Sequence, residues 1–334
     1  MIRLVKLCFL VSVLNIFIFS PAAAKTTLKF NNKGKFKIVQ FTDMHFRCNT
    51  PKSKLVLQMM NEVLDTEKPD LVIFTGDIVS SDTLLKGWNI VTKPLIDRAI
   101  PWAVTIGNHD DEHDKKREEI LPLIEKFPYN QTKVGPKSVY GYGNYTLSVK
   151  SANSNIDAFL LYCMDSNNYS TIKGIKGYGW FRNSQINWYK QTSDSFTKKN
   201  NGTPMSSLAF FHIPLFEYIE AWEKNQLNPI GVKNEKVCSP KINTGMYACM
   251  LQQGDIMGTF VGHDHDNNYV APLHNIALVY GRFSGGDTYG KLINGARVIE
   301  LEEGKREFTT WVRLRGGEKI DLYKFVKDGL DEKE

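Results

Sequence analysis

Short apolar segments that run directly into polar turns recur along this chain. Five of them are largely continuous stretches of Val, Ile, Leu, Phe and other apolar residues, a pattern typical of buried β-strands. In each case the residues that follow include Asp, Asn or His. The five predicted strands are Phe36–Phe41, Leu71–Phe74, Trp102–Ile106, Leu208–Phe211 and Met257–Val261.

Segments with helical spacing alternate with strand-like segments, which predicts an α/β fold. The predicted helices are Lys52–Leu64, Leu84–Arg98, Lys115–Phe127, Ser184–Phe196 and Asn243–Leu251. Further strands are predicted at Tyr145–Lys150, Ala158–Met164, Tyr269–Ala271, Ile276–Tyr280, Arg297–Leu301 and Phe308–Leu314. We expect one domain over residues 25–320 and a frayed, charged C-terminal tail over 321–334.

Histidine is concentrated in the polar turns. The chain has 7 histidines, and only His113 and His274 lie outside these turns or the residues that end them. Ligands of open α/β sheets bind beyond the carboxyl ends of the strands, so the fold should gather the five turns at one edge. The histidines of the turns are His45, His109, His212, His263 and His265.

The residue types and spacing in these turns favour a metal site. Asp43 and His45 are alternate residues of an extended segment and would point the same way. A glycine before Asp77, Asn108 and His263 permits close approach of the backbone. Imidazole, carboxylate and amide oxygen together suit Zn, Fe or Mn.

Each of these residues also has a purely structural interpretation. His212 alone would more simply be a core histidine, Asp77 could cap a helix, and Asn108 could occupy a left-handed turn. These interpretations are independent, so all of them must hold for the metal hypothesis to fail.

The first 24 residues have the layout of a secretory signal peptide. Arg3 and Lys6 precede the apolar run Leu7–Phe19, and Ala22-Ala23-Ala24 supplies small residues for cleavage. The run is short for a membrane span, which takes about 20 apolar residues, and an uncleaved anchor is the alternative. We expect cleavage after Ala24, no stable membrane anchor afterwards, and a secreted or endomembrane and lysosomal destination.

Composition otherwise describes an ordinary folded domain. Charged residues make up 23% and apolar residues 42% of the chain. The formal net charge of +6 includes Arg3 and Lys6, and the remaining lysines are scattered. A charge this small gives no support for binding nucleic acid.

Cysteines and glycosylation motifs bear on the same secretory route. Cys238 and Cys249 are the predicted disulfide pair, because they are close in sequence across a loop that contains Pro and Gly. Buried free thiols are the alternative. Four Asn-x-Ser/Thr motifs are candidate glycan acceptors, at Asn130, Asn144, Asn168 and Asn201.

The order of the motifs resembles the calcineurin-like metallophosphoesterase superfamily. From Asp43 to His265 the chain carries Asp-x-His, Gly-Asp, Gly-Asn-His-Asp, a single His and Gly-His-x-His. Gln40–His45 and Gly262–His265 look most like the secreted, purple-acid-phosphatase-like branch. The resemblance implies a sandwich of two mixed β-sheets flanked by helices, with the site at one edge.

The resemblance also implies two metal ions, identity open among Fe, Zn and Mn, bridged by Asp77. One ion would take Asp43, His45 and His265, and the other Asn108, His212 and His263. His109 would stabilise or protonate the leaving oxygen, with Asp110 orienting it. A metal-bridged hydroxide would then attack the phosphorus of a phosphate ester.

Two departures from true purple acid phosphatases stand out. Those enzymes carry a tyrosine three residues after the bridging Asp, where this chain has Ser80. They also lack the histidine of the first motif, which is present here as His45. We therefore expect no purple chromophore.

Three functions are compatible with these motifs. The leading hypothesis is a secreted phosphatase that hydrolyses phosphate monoesters. A phosphodiesterase acting on cyclic nucleotide or lipid-type diesters would use the same metals. A non-catalytic secreted binding protein would keep the fold without the activity.

Overall fold

The computed structural model describes residues 26–224 and 229–327, which form two mixed β-sheets with helices on their outer faces. The predicted signal segment 1–24 lies outside the described residues, so its cleavage stays a prediction. Among the helices within those ranges, none has both the length and the apolar character needed to cross a bilayer.

The first sheet joins the three N-terminal predicted strands to the C-terminal part of the chain. Its strands are β1 (Lys35–Phe41), β2 (Leu71–Thr75), β3 (Trp102–Thr105), β11 (Gly295–Glu302), β12 (Glu307–Leu314) and β13 (Lys319–Val326). They lie in the order β13-β12-β11-β1-β2-β3. The strands β1, β2 and β3 are parallel, so their carboxyl ends meet at one edge.

The second sheet contains the other two strands that precede histidine turns. Its strands are β4 (Tyr145–Lys150), β5 (Asp157–Cys163), β6 (Ser207–Phe210), β7 (Ile230–Lys233), β8 (Ile256–Val261), β9 (Asn267–Leu273) and β10 (Ile276–Tyr280). They lie in the order β4-β5-β6-β8-β10-β9-β7, and β5, β6, β8 and β10 are parallel.

Helices cover the outer face of each sheet. They are α1 (Pro51–Glu67), α2 (Leu84–Asp97), α3 (Arg117–Ile124), α4 (Asn183–Lys199), α5 (Glu217–Lys224) and α6 (Met246–Gln253). Ile38 and Ile73 pack between the sheets, while Val39 and Phe74 pack against α1 and α2. Because successive strand residues point to opposite faces, an all-apolar strand buries both faces. The prediction of two mixed sheets flanked by helices is confirmed.

Local sequence signals place α1 directly after the first histidine turn. The Thr50 hydroxyl accepts a hydrogen bond from the Ser53 backbone N–H at 3.1 Å, and Pro51 occupies the first helical turn. The helix ends at Glu67 and is followed by the C-cap residue Lys68, which adopts a left-handed conformation with φ 49°. The turn that carries Asp43 and His45 is thereby tied to a defined helix start.

The expected frayed tail is wrong at its beginning. Strand β13 extends through Val326 and pairs antiparallel with β12. Phe325 packs into the core between the sheets, but the other side chains are exposed or half-buried, so backbone hydrogen bonds hold most of this edge strand. Strand β7 and helix α5 were also absent from the sequence-based prediction. Like β13, β7 is an edge strand, and its side chains are only partly buried.

The predicted disulfide between Cys238 and Cys249 is also wrong in this structure, which has both residues as free thiols. Cys249 lies on α6 and packs into the core beneath the second sheet. Cys238 lies in a loop, and its own backbone N–H donates to the Asp264 carboxylate at 3.0 Å. Proximity in sequence does not bring the two together because the helix turns one thiol inward.

Two of the four predicted glycan acceptors cannot accept a glycan in the folded protein. Asn130 is buried, and its amide nitrogen donates to the Ile124 carbonyl at 2.6 Å. Asn144 is buried, and its amide nitrogen donates to the Tyr140 carbonyl at 3.0 Å. The glycan would have to replace these internal hydrogen bonds. Asn201 is exposed, and Asn168 is partly buried.

Candidate metal centre

The five polar turns meet where the carboxyl ends of the parallel strands of both sheets come together. Within the described ranges, two groups of three metal-ligating side chains are buried there. In each group, the candidate ligand atoms all lie within 4.8 Å of one another. The first group is Asp43, His45 and His265, and the second is Asp77, His212 and His263.

The Asp77 carboxylate lies between the two groups. Its Oδ2 is 3.1 Å from His212 Nε2 and 3.7 Å from His45 Nε2. Its Oδ1 accepts a hydrogen bond from the His109 backbone N–H at 2.8 Å. One carboxylate oxygen is therefore within reach of both groups, as a bridging ligand requires.

Asn108 follows β3 and is fully buried. Its amide nitrogen donates to the Tyr169 hydroxyl at 3.4 Å, whereas its amide oxygen Oδ1 has no hydrogen-bond partner among the residues that the structure describes. The same is true of the buried Nε2 atoms of His45 and His263. Buried polar atoms are rarely left unsatisfied, so these three atoms fit the coordination of metal ions.

The opposite ring nitrogens fix several histidines. His212 Nδ1 donates to the Thr75 carbonyl at 2.8 Å, and His265 Nδ1 donates to the Tyr289 carbonyl at 2.8 Å. His45 Nδ1 is 3.2 Å from the Ser80 hydroxyl. Such contacts orient the imidazole and leave Nε2 for a metal ion. Ser80 thus supports His45 at the position where purple enzymes carry tyrosine.

The backbone around these ligands is held in an uncommon conformation. Asp43, His45, Asp77 and His263 all have positive φ, from 41° to 79°. Non-glycine residues adopt this region at a cost, and such residues cluster at functional sites.

Gly107 allows the backbone to pass close to Asp77. A Cβ at this position would collide with the Asp77 carboxylate oxygen Oδ1. The glycine before Asn108 is therefore required by the packing of the bridging residue.

Electrostatics divides the histidines into two kinds. Burial lowers the pKa of His45 to about 4 and that of His263 to about 3, so both are neutral at pH 7. Burial also opposes the charge on His212, but the Asp77 and Asp43 carboxylates outweigh it and raise its pKa to about 9. The charge on His212 therefore depends on the Asp77 carboxylate, whose Oδ2 lies 3.1 Å from His212 Nε2.

His109 lies at the edge of the cluster and is oriented by a residue other than the one predicted. Its ring lies 5.5 Å from the His45 ring, and its Nδ1 is 2.7 Å from the Glu112 carboxylate. The Asp110 carboxylate instead accepts backbone hydrogen bonds from Asp77, Ile78 and Gly107 at 2.8–2.9 Å. The predicted orienting role of Asp110 is therefore wrong, because its oxygens are committed to backbone donors.

A cavity of about 320 Å³ opens over the two groups. The Tyr178 ring packs edge-on against the His263 ring at 4.4 Å, and the Tyr289 ring stacks on the His265 ring at 4.0 Å. Both tyrosines lie in Gly-rich loops. Trp180, in the same loop as Tyr178, is buried beneath the Arg182 guanidinium and does not line this cavity.

Sequence reasoning missed several residues that line the cavity, three of them next to the recognised motifs. Arg47, Glu112 and His113 all face it. Each lies within four residues of a recognised motif, yet a charged residue in such a turn looks the same whether it faces solvent or a site. Only the path of the turn distinguishes these cases.

Comparison with known proteins identifies relatives in the same family that the sequence motifs resemble. The sequence model of the calcineurin-like phosphoesterase family matches residues 36–267. A protein from Arabidopsis thaliana named probable inactive purple acid phosphatase 29 is 33% identical over 325 residues, covering 87% of this chain and 83% of its own length. The protein named phosphatase DCR2 from Saccharomyces cerevisiae is 34% identical, covering 87% of this chain and 56% of its own length.

A solved structure shares the fold at low sequence identity. A dimetal phosphatase from Danio rerio superposes with a TM-score of 0.60 at 11% identity, covering 87% of this chain and 99% of its own. With a family match over most of the chain, the resemblance read from the motifs is confirmed. The chain belongs to the calcineurin-like phosphoesterase family, in its purple-acid-phosphatase-like branch.

Proposed function

We propose that this protein is a dinuclear metal-dependent phosphatase that hydrolyses phosphate monoesters. The supporting observation is the pair of buried ligand groups beneath an open cavity, with the Asp77 carboxylate within reach of both. The three unpartnered ligand atoms of His45, His263 and Asn108 complete a set suited to Fe, Zn or Mn. Bound there, two ions would supply charge neutralisation for a phosphoryl group and activation of a water molecule.

The protein's own groups would act on the leaving oxygen. His109 lines the cavity, and its Nδ1 is engaged by Glu112, which leaves Nε2 as the nitrogen available to a substrate. A proton held at that Nε2 can offset the charge that builds on the leaving oxygen. Asp110 would act indirectly, because its hydrogen bonds to the Asp77 and Gly107 N–H groups hold two ligand-bearing turns together.

A non-catalytic binding protein is the second candidate, favoured by the names of several plant relatives. Those proteins are named probable inactive purple acid phosphatases. In this chain, however, the ligand groups and His109 are all present. A protein that has lost catalysis has no need to retain a general acid beside its ligands, so we favour the enzyme.

Metal content and ester hydrolysis together test this proposal. The purified protein should contain about two metal ions per chain by elemental analysis, and should hydrolyse 4-nitrophenyl phosphate faster than bis(4-nitrophenyl) phosphate. Asp77→Asn, which preserves the shape of the bridging side chain, should lose at least one ion and most of the activity.

The outcomes separate the alternatives. Faster cleavage of the diester would replace the phosphatase by a phosphodiesterase. Two bound ions without hydrolysis of any ester would favour the binding protein. Full metal content in Asp77→Asn would contradict the bridging role.

We also propose that the chain enters the secretory pathway and loses residues 1–24. The exposed Asn201 motif supports this route. N-terminal sequencing of the protein from its native source should begin at Lys25, and glycosidase treatment should reduce its mass. An intact Met1 with no glycan would contradict the proposal.

A further inference from the structure

Arg47 presents an unneutralised positive charge to the cavity above the metal ligands. It lies two residues after His45, lines the 320 Å³ cavity and is exposed to solvent. Across residues 26–224 and 229–327, its guanidinium forms neither an ion pair nor a hydrogen bond. An arginine with five free donors at the mouth of a site is suited to bind an anion.

The backbone on both sides of Arg47 is fixed. The Phe46 N–H donates to the Ile78 carbonyl at 2.9 Å, and the Cys48 N–H donates to the Ser81 hydroxyl at 2.8 Å. The Arg47 N–H itself donates to the Ser53 hydroxyl at 3.0 Å. The side chain therefore starts from a rigid point next to the metal ligands, which reduces the entropy lost when it binds.

The acidic residues that share the cavity already have partners. Glu112 pairs with His109, and Asp287 accepts hydrogen bonds from the Ser53 and Thr50 hydroxyls. Asp264 accepts a hydrogen bond from the Tyr280 hydroxyl at 2.6 Å. None of these carboxylates lies within ion-pair distance of Arg47 in the described structure, so its charge remains available to a ligand.

The cavity is larger than one phosphoryl group needs. Its volume of about 320 Å³ is many times the roughly 10–15 Å³ that a cavity needs to hold one water molecule. A phosphoryl group on the metal ligands would leave room for the rest of the ester. Arg47, on the exposed side of the cavity, faces that remaining space.

We propose that Arg47 binds a second anionic group, a phosphate or carboxylate on the leaving-group side of the substrate. The inference rests on the proposed phosphatase function and specifies its substrate class as small phosphate esters or anhydrides that carry a second anionic group besides the transferred phosphoryl group, such as a diphosphate. A guanidinium binds either anion through two parallel N–H···O hydrogen bonds, which also orients the ester. Arg47 is a specificity-determining residue in this account.

Arg47→Met tests the proposal because it removes the charge and keeps much of the side-chain length. The substrates are phenyl phosphate, 4-carboxyphenyl phosphate and pyrophosphate. We expect kcat/KM to fall about tenfold, or about 1.4 kcal/mol, for a substrate that carries a second anionic group besides the transferred phosphoryl group, mainly through KM. Phenyl phosphate should change less than twofold, and the more affected of the other two identifies the anion.

Arg315→Met is the matched control. Arg315 is an exposed arginine in the turn between β12 and β13 and does not line the cavity. This variant should match the wild type on all three substrates. Both variants should keep the wild-type melting temperature, because neither side chain makes a hydrogen bond or ion pair within the described structure. An equal loss on all three substrates in Arg47→Met would place Arg47 on the transferred phosphoryl group and overturn the proposal.

A binding measurement separates this inference from the activity itself. Calorimetry with methylenediphosphonate and methylphosphonate, which are not hydrolysed, should show tighter binding of the diphosphonate to the metal-loaded wild type. Arg47→Met should remove that difference. This result without any ester hydrolysis would contradict the phosphatase and retain the anion site, whereas equal affinities in the wild type would overturn the anion site.

Discussion

Replacement of His109 is the most direct test of the catalytic proposal. It touches the cavity, lies beside His45 and is not a member of either ligand group. His109→Ala should lower kcat about 10²–10⁴-fold, the contribution expected from a general acid. Metal content by elemental analysis should stay unchanged.

His274→Ala is a suitable control for that variant. His274 lies in the turn before β10, at the opposite edge of the sheet from the ligand turns. Its replacement should leave kcat within twofold. Wild-type kcat in His109→Ala would remove His109 from the mechanism.

Replacing Glu112 and Asp110 by their amides should have different effects, the first on kcat and the second on stability. Glu112→Gln removes the charge that orients the His109 ring, so kcat should fall severalfold while the unfolding free energy stays close to that of the wild type. Asp110→Asn replaces a charged acceptor of three backbone N–H groups by a neutral amide, at a cost of about 2 kcal/mol in unfolding free energy.

Denaturant unfolding and steady-state kcat measure these two effects. A stable Asp110→Asn with a lowered kcat, together with a wild-type kcat in Glu112→Gln, would mean that Asp110, and not Glu112, acts through His109.

At the scale of elements, Glu67 joins the end of α1 to the first sheet. Its Oε1 accepts hydrogen bonds from Trp311 Nε1 at 3.0 Å and Arg313 Nε at 2.7 Å, both on β12. Lys37 Nζ on β1 is 3.3 Å from its other oxygen. One carboxylate thus connects a helix with two strands and closes one side of the core under α1.

The pKa of Glu67 predicts how this contact responds to acid. Burial alone would raise the pKa, but the Trp311 and Arg313 donors and the Lys37 charge outweigh it and lower the pKa below its ordinary 4.5. A lowered carboxyl pKa contributes stability above pH 4.5, and that stability is lost as the pH falls through the folded-state value.

Glu67→Gln should therefore lower the unfolding free energy by about 1–3 kcal/mol at pH 7. The difference from the wild type should shrink as the pH falls below 4.5. Asp65→Asn is the control on the same helix, since Asp65 is exposed and its pair with Arg98 is solvated. Urea titrations across this pH range measure the effect, and a pH-independent difference would contradict it.

At the scale of the whole molecule, the candidate metal centre joins the two sheets. Asp43, Asp77 and Asn108 follow β1, β2 and β3 of the first sheet, whereas the ligands His212 and His263 follow β6 and β8 of the second. Ions shared between them would hold the two carboxyl edges together, so metal binding should stabilise the complete fold.

Chelation tests this link. Binding at 100 times the Kd stabilises the folded state by about 2.7 kcal/mol per ion, so removal of the ions should lower the melting temperature by several degrees. Adding back Zn, Mn or Fe should restore it. Asp77→Asn should respond less to the chelator, and a wild-type melting temperature insensitive to metal would contradict the structural role.

The five strands that precede the ligand turns and most of the ligand set are predictable because they depend on the local order of residues along the chain. A strand that is buried on both faces is apolar throughout. A polar side chain directly after such a strand is therefore a candidate for a binding site at the edge of the sheet. That logic found Asp43, Asp77, Asn108, His212 and His263 without any coordinates. It failed for β7 and β13, whose edge positions need backbone pairing rather than apolar side chains.

The sequence by itself determined the α/β class, the family and the residues that gather at one edge, because all three follow from order along the chain. Only the tertiary structure decided which groups touch. It gave Glu112 the role predicted for Asp110, left Cys238 and Cys249 unpaired, buried Asn130 and Asn144, and turned Arg47 into the cavity. Direction of a side chain depends on how its turn packs against distant segments, and spacing along one chain carries no record of that packing.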